Sequence, residues 1–278
     1  MNRLTDLNYL KTFLKQSGLK PRHYLGQNFL VDEEVLGEIL DAAELTKSDT
    51  VLEVGPGIGT LTVELVKRAG KVIAVEKDER MMGLLSRNAE LVSASQKRDP
   101  EFNLGLRIVN QDILKFHLDK YVSGPYKVVA NIPYYLTSHL IQYFLNQKNQ
   151  PKLLVLMVQK EVAERVVAKP GELSILGISV QFFADAEIAA VVPKESFWPV
   201  PKVDSAILRI EPKDKYPEIT DYKLFFSTVK KAFAGKRKQL KNTLGNIQVL
   251  RQAGIDPMAR PQDLSIDDWI RLYLEIRN

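Results

Sequence analysis

An amide, a rigid ring and an aromatic stand in a row at Asn131-Ile132-Pro133-Tyr134, directly after the apolar run Val128-Val129-Ala130. The run reads as a buried strand. The tetrad therefore stands at a strand end, where Asn131, Pro133 and Tyr134 can together grip a flat heteroaromatic base. A second cluster, Val51-Leu52-Glu53-Val54-Gly55-Pro56-Gly57-Ile58-Gly59-Thr60, is a strand running into a glycine turn that opens a helix. Glycines in such a turn accept positive φ and let the backbone approach a ligand closely. Glu76, roughly 20 residues further on at the end of the next strand, is placed to accept two ribose hydroxyls. Asp112, following the third strand in Asn110-Gln111-Asp112, can accept from the exocyclic amine of adenine, although a lone Asp after a strand is more often a helix N-cap.

These residues suit any adenosine-bearing cofactor, with a nicotinamide dinucleotide as a competitor and a purely structural glycine turn as the plain alternative. The spacing G-x-G-x-G departs from the dinucleotide fingerprint G-x-G-x-x-G. Glu53 also sets a carboxylate before the first glycine, which suits a cationic ligand and repels a pyrophosphate.

The elements that must carry these residues alternate. Short β-rich runs at Thr50–Val54, Val72–Val75, Arg107–Val109, Lys127–Ala130 and Leu153–Val158 are separated by helical patterns such as Leu61-Leu65-Val66 and Ile141-Phe144-Leu145. That alternation predicts a parallel, doubly wound α/β sheet. Glu187–Val192 and Val203–Ile210 add two strands, expected as an antiparallel hairpin at one edge, which makes seven. The polar segment Glu211–Pro217 is the expected linker, dividing a domain over 1–211 from an all-α domain over 212–278. Asn88 to Gly105 reads as a surface insertion.

Charge is distributed unevenly. The chain of 278 residues carries a formal net charge of +5, and the excess falls after residue 212. No acidic residue lies between Asp221 and Asp256, while Lys223, Lys230, Lys231, Lys236, Arg237, Lys238, Lys241 and Arg251 do. A second acid-free window, Leu7 to Val31, holds Lys11, Lys15, Lys20, Arg22 and His23. Two basic segments flanking a neutral middle point to a polyanion held by the ends of the chain, with solvated charged faces as the plain alternative. The absence of cysteine removes disulfides, thiolate nucleophiles and Cys-ligated metals, and His23, His117 and His139 are scattered, so no metal site is expected. The longest apolar run, Leu153 to Val158, is far short of the roughly 18 to 20 residues that span a bilayer. With no apolar signal segment near the start, a cytoplasmic location without membrane association is expected.

Taken in order, Leu25-Gly26-Gln27-Asn28-Phe29-Leu30, Glu53-Val54-Gly55-Pro56-Gly57, Asn131-Ile132-Pro133-Tyr134, Gln159-Lys160-Glu161-Val162-Ala163 and Phe197-Trp198-Pro199-Val200-Pro201-Lys202-Val203-Asp204-Ser205 resemble the S-adenosylmethionine-dependent ribosomal RNA adenine N6-dimethyltransferases, most closely their bacterial small-subunit branch. The resemblance covers nearly the whole chain. It implies a Rossmann-like methyltransferase sheet, S-adenosylmethionine as cofactor, and 16S rRNA of the small ribosomal subunit as partner of a monomer. Two adjacent adenosines in a hairpin loop near the 3′ end would be dimethylated. It further implies that Asn28 and Leu30 close over the methionine part of the cofactor, Gly55 admits it, Glu76 holds the ribose and Asp112 the adenine. Asn131 would contact cofactor and target alike, and Tyr134 and Phe197 would sandwich the target base. The sequence departs from the family at Tyr24-Leu25, where a basic residue followed by an aromatic is more usual. Two rival readings are a large-subunit rRNA adenine methyltransferase of the antibiotic-resistance type and a ribosome-assembly factor whose binding matters more than its catalysis.

Overall fold

Apolar runs with turn residues at both ends become strands, and the polar-faced periodic segments between them become helices. The computed structural model describes residues 2–21, 26–95, 105–213, 216–235 and 237–277. Arg22, His23, Tyr24, Leu25, Asp214, Lys215, Lys236 and residues 96–104, for which the sequence raised expectations, lie outside the described residues. The contacts divide the chain into two units, Met1–Ala163 with Glu187–Glu211, and Glu164–Ala186 with Pro212–Asn278.

The first unit is built on a seven-stranded sheet and a separate two-stranded ladder, the latter formed by β1 (Phe29–Leu30) and β8 (Phe197–Trp198). The strands of the large sheet in chain order are β2 (Thr50–Val54), β3 (Lys71–Glu76), β4 (Leu106–Asn110), β5 (Lys127–Asn131), β6 (Leu153–Gln159), β7 (Ala184–Val192) and β9 (Ser205–Pro212). Their spatial order is β4-β3-β2-β5-β6-β9-β7. Pairings β4–β3, β3–β2, β2–β5 and β5–β6 are parallel, while β9 runs antiparallel to β6 with Leu156 opposite Leu208. The two late strands are neighbours at one edge, as the hairpin reading expected, and β9 rather than β7 lies against β6. Leu153–Val158 is buried throughout, which explains why that strand shows no polar alternation.

Helices α1 (Leu7–Gln16), α2 (Glu33–Ala42), α3 (Thr60–Arg68), α4 (Glu79–Ser95) and α5 (Thr137–Leu145) accompany this sheet. Asp6 caps α1 by accepting from the Tyr9 N–H, and Asp32 caps α2 by accepting from Glu34 and Val35. The supposed insertion beginning at Asn88 is corrected by α4, which continues to Ser95. Asn88 itself is buried and donates its side-chain amide to the Ile58 carbonyl at 2.7 Å. A polar residue satisfied by a distant carbonyl looks like surface in sequence and is core in space.

The β1–β8 ladder has no counterpart in the sequence expectations. It is antiparallel and pairs Phe29 with Trp198 and Leu30 with Phe197. It continues through the Val31 N–H, which donates to the Ser196 carbonyl at 2.9 Å. The Ser196 hydroxyl in turn donates to Asp32 at 2.8 Å.

The second unit is helical. It comprises the end of α6 (Lys160–Val167), α7 (Ile175–Gln181), α8 (Tyr222–Ala232), α9 (Leu240–Thr243), α10 (Ile247–Gln252) and α11 (Ile266–Arg277). Its inclusion of Glu164–Ala186 differs from the expected domain of 1–211, and the reason is packing. Ile178 and Phe182 are buried in one cluster with Phe225, Val229, Leu250, Trp269 and Tyr273. The Phe182 ring lies 4.5 Å from the Phe225 centroid and 5.4 Å from a stacked Tyr216. No helix among the described residues is long and apolar enough to cross a membrane.

Truncating a buried aromatic with this many ring neighbours leaves a cavity, at a cost of about 3–5 kcal/mol. Phe182→Ala is therefore expected to lower the urea midpoint of the second unit, read from the fluorescence of Trp269 in the same core. An unchanged midpoint would refute the assignment of 164–186 to this unit.

Candidate active site

Four parallel neighbours, β4-β3-β2-β5, end side by side, so the residues just beyond their carboxyl ends share one edge of the sheet. After β2 comes Gly55-Pro56-Gly57-Ile58-Gly59, with φ of +65° at Gly55, +57° at Gly57 and +94° at Gly59. At Gly59, the N-cap of α3, the left-handed φ favours glycine and a Cβ would stand 2.8 Å from a Leu85 methyl. β3 ends on Glu76, β4 on Asn110 shortly before Asp112, and β5 on Asn131. The edge is completed by Gly26-Gln27-Asn28, brought in by the β1–β8 ladder. A Cβ on Gly26, at φ +65°, would stand 3.1 Å from Pro133 Cβ, so the N-terminal segment lies directly on the Asn-Ile-Pro-Tyr turn.

These pieces enclose a cavity of about 470 Å³. Asn28, Leu30, Gly55, Glu76, Asp112, Asn131 and Pro133, all singled out from the sequence, line it. Tyr134 and Phe197, expected to form a stacking pair, are not among its walls. Phe197 is only 2% exposed, packed in the β1–β8 ladder, and the Tyr134 hydroxyl is engaged with the buried Ser205 hydroxyl at 2.8 Å. The sequence reading overlooked Gln27, Lys77, Leu114 and Tyr135, which do line the cavity. Their signal was weak because each is merely close in sequence to a residue that stands out more.

Carboxylates dominate the electrostatics. Glu53, Glu76, Asp78, Glu79 and Asp112 line the cavity, with Lys77 paired to Asp112 and Arg80 paired to Asp78. Such a wall repels a pyrophosphate and attracts a cation. Glu76 is buried and accepts from the Gly57 N–H at 3.0 Å and the Asp78 N–H at 2.7 Å. Burial pushes its carboxyl above the ordinary range, and those N–H groups oppose the rise. Asp112 accepts from Lys77 Nζ at 2.8 Å and from the Leu114 N–H at 3.0 Å, capping the short turn Ile113–Lys115. The lysine holds its carboxyl below the usual value. Both readings of Asp112, cap and ligand acceptor, are thus compatible with its position.

Glu53 is the outlier. It is 1% exposed, immediately precedes the turn that begins at Gly55, and neither carboxylate oxygen has a partner at ordinary hydrogen-bond geometry, the hydroxyl and N–H of Thr62 acting on it more weakly. Burial pushes it up to about 8, with the neighbouring Thr62 offsetting part and the charge of Glu76 adding to the rise. Thr60, another wall residue, also has an unpartnered buried hydroxyl. Unsatisfied buried polar groups are uncommon, and a neutral carboxyl at a ligand cavity can ionise against a cationic ligand group.

Against known proteins, residues 18–278 match the family model described as ribosomal RNA adenine dimethylase. The ribosomal RNA small subunit methyltransferase A of Dehalococcoides mccartyi strain CBDB1 is 41% identical over 277 residues, covering 95% of this chain and 91% of that one. Among solved structures, a dimethyladenosine transferase from Plasmodium falciparum superposes with a TM-score of 0.76 at 28% identity, covering 88% of this chain and 96% of that one. The 23S rRNA methyltransferase ErmE superposes with a TM-score of 0.69 at 27% identity, covering 90% and 100%.

The state of Glu53 has a consequence for stability. Below about pH 4.5 the group is neutral in folded and unfolded chains alike, and between there and about pH 8 only the unfolded chain ionises. Stability contributed by the neutral buried acid is therefore lost as pH rises through this window and levels off above it. Glu53→Gln removes the dependence. Its urea stability is expected to gain on the parent protein between pH 5 and pH 8, by on the order of a few kcal/mol. A pH-independent difference would show that Glu53 is already ionised in the fold.

Proposed function

The chain belongs to the ribosomal RNA adenine dimethylase family, and from that premise we propose that it dimethylates N6 of two adjacent adenosines in a hairpin loop near the 3′ end of 16S rRNA, in the small ribosomal subunit. It would do so as a cytoplasmic monomer with S-adenosylmethionine as cofactor. The observation that carries this reading is the cavity with Glu76 and Asp112 on one side and Asn131 and Pro133 on the other. The chemistry of its wall fits the cofactor. Two carboxylates at successive strand ends suit a ribose and an adenine amine, and the unpartnered Glu53 suits a ligand with a cationic end.

The bound cofactor supplies a methyl group activated by attachment to a positively charged sulfur. The protein's task is to present a nucleophile. An adenine amine is a poor one because its lone pair is delocalised into the ring. The Asn131 side-chain oxygen and the Ile132 carbonyl would accept its two N–H bonds, drawing the nitrogen towards tetrahedral geometry and freeing the lone pair. Pro133, at φ −57°, holds the turn that aims these acceptors. No strong base is required, since the nitrogen becomes acidic only after transfer makes it cationic. Catalysis then rests on positioning and electrostatics. Asn28 and Leu30 would close over the methionine end. Tyr134 would act from within the turn, through its bond to Ser205, and Phe197 from within the β1–β8 ladder that holds Leu30.

The exposed cations of the second unit, Lys223, Lys230, Lys231, Arg237, Lys238 and Arg251, supply a docking surface for rRNA. If docking neutralises about four phosphates of unpaired RNA, log affinity falls with log salt at a slope of roughly −3. Salt-independent affinity would remove this face from the reading. The rival large-subunit substrate is favoured by the likeness to ErmE alone. With labelled methyl groups offered to both purified subunits, label is expected in the small one, and label confined to the large one would overturn the substrate. Asn131→Ala is expected to abolish transfer with thermal unfolding unchanged, and near-normal turnover would remove Asn131 from its role.

A further inference from the structure

The proposed reaction leaves unused the side chain that protrudes most beside the cavity. Tyr134 and Tyr135 are consecutive in the 3₁₀ turn Tyr134–Leu136, where about 120° separates neighbouring side chains. The turn thus divides the two rings. Tyr134 is tied inward through its bond to Ser205, while Tyr135 lines the cavity and is 62% exposed, more than any other large apolar or aromatic side chain among the described residues. Such a ring leaves apolar surface in water that a partner could cover. The surroundings indicate what would cover it. Leu114, 41% exposed, lines the same cavity from the β4 side. Lys77, with 73% of its side chain exposed, lines the same cavity and is held by Asp112. An exposed ring beside an exposed aliphatic side chain at the mouth of a base-binding cavity is a surface on which an unpaired base can stack.

We propose that Tyr135 is an outer nucleotide seat, whose ring stacks on the RNA base adjoining the one that enters the cavity. This rests on the reading of the cavity as the site of rRNA adenine methylation. A base that enters a pocket leaves its stack, and its neighbour loses a partner on that side. The Tyr135 ring replaces that partner and lowers the cost of extrusion. Stacking needs a π-face and no particular hydrogen bond, so the seat contributes affinity and is tolerant of which base occupies it.

The test uses the full-length protein with Tyr135→Ala and Tyr135→Phe. Three quantities are measured: the Kd for S-adenosylmethionine by calorimetry, the KM and kcat for unmethylated small subunits, and the fluorescence of an rRNA hairpin carrying 2-aminopurine beside the target adenosine. Tyr135→Ala is expected to raise the RNA KM roughly 5- to 100-fold and to abolish quenching of the probe on binding. The cofactor Kd should stay within about twofold, and Tyr135→Phe, which keeps the ring, should restore both RNA readouts. An unchanged RNA KM in Tyr135→Ala overturns the proposal. So does a cofactor Kd weakened by the same factor, which would make Tyr135 part of the cofactor site, or a Tyr135→Phe as impaired as the alanine variant. If the unmodified protein methylates no rRNA, the underlying reading fails, and that result is separate from the behaviour of the fluorescent probe.

Discussion

Parallel pairing of β4, β3, β2 and β5 is the constraint on which the site depends. Parallel neighbours must all finish at the same edge, and their connections must cross back over the sheet before the next strand begins. One edge therefore collects four carboxyl ends, and the side chains just beyond them become neighbours without any closeness in sequence. Glu76 and Asn110 are opposite one another in register, and the Asn110 side chain and the Gln111 N–H both bond the Glu76 carbonyl. Glu76 and the segment leading to Asp112 are thereby held at a fixed offset by the sheet itself. Precision in such a site comes from ladder hydrogen bonds rather than from loop packing.

Electrostatic strain is concentrated where ligand chemistry is expected. Glu53 and Glu76 are both buried carboxyls, and they differ in what surrounds them. Glu76 accepts from two backbone N–H groups at 3.0 and 2.7 Å, whereas Glu53 has only the weaker attraction of Thr62, so the same residue type occupies two different states within one cavity wall. The buried hydroxyls of Thr60, Thr62 and Thr137 are likewise without a hydrogen-bond partner, whereas other polar side chains reaching inward are satisfied. Lys127 bonds the Ala43 and Glu44 carbonyls and Asp49, and Asn88 bonds Ile58. The contrast sets Glu53 apart as the carboxyl of this wall whose burial is least compensated.

The strands and the glycine turn were legible because their information is local. Periodicity, β-branched runs and glycine at positive φ act over a few residues. Asn131, Glu76 and Asp112 were legible for the same reason, each standing at or just past the end of an apolar run. What escaped was long-range. β1 and β8 are two residues long, too short for any pattern, and exist only because Phe29 and Trp198 meet in space. Glu164–Ala186 carries no compositional break from the residues before it, and only the cluster around Phe182 shows where it packs. The division of labour between Tyr134 and Tyr135 was equally hidden. Two identical residues in succession give no hint which one the turn faces inward, and Ser205, which decides it, lies far along the chain.

The β1–β8 ladder also orders events in time. A chain emerging N-terminus first has its glycine turn, both strand-end acids and Asn131 in place once β5 has formed. Asn28 and Leu30, however, are held against that edge by Phe197 and Trp198. Domains assemble as their parts become available during synthesis. A nascent chain shorter than about 200 residues thus has the floor of its cavity without its clasp. The Asn28–Leu30 side of the cavity is completed only after most of the chain has been made, and a product truncated before Phe197 would lack the strand that holds that side in place.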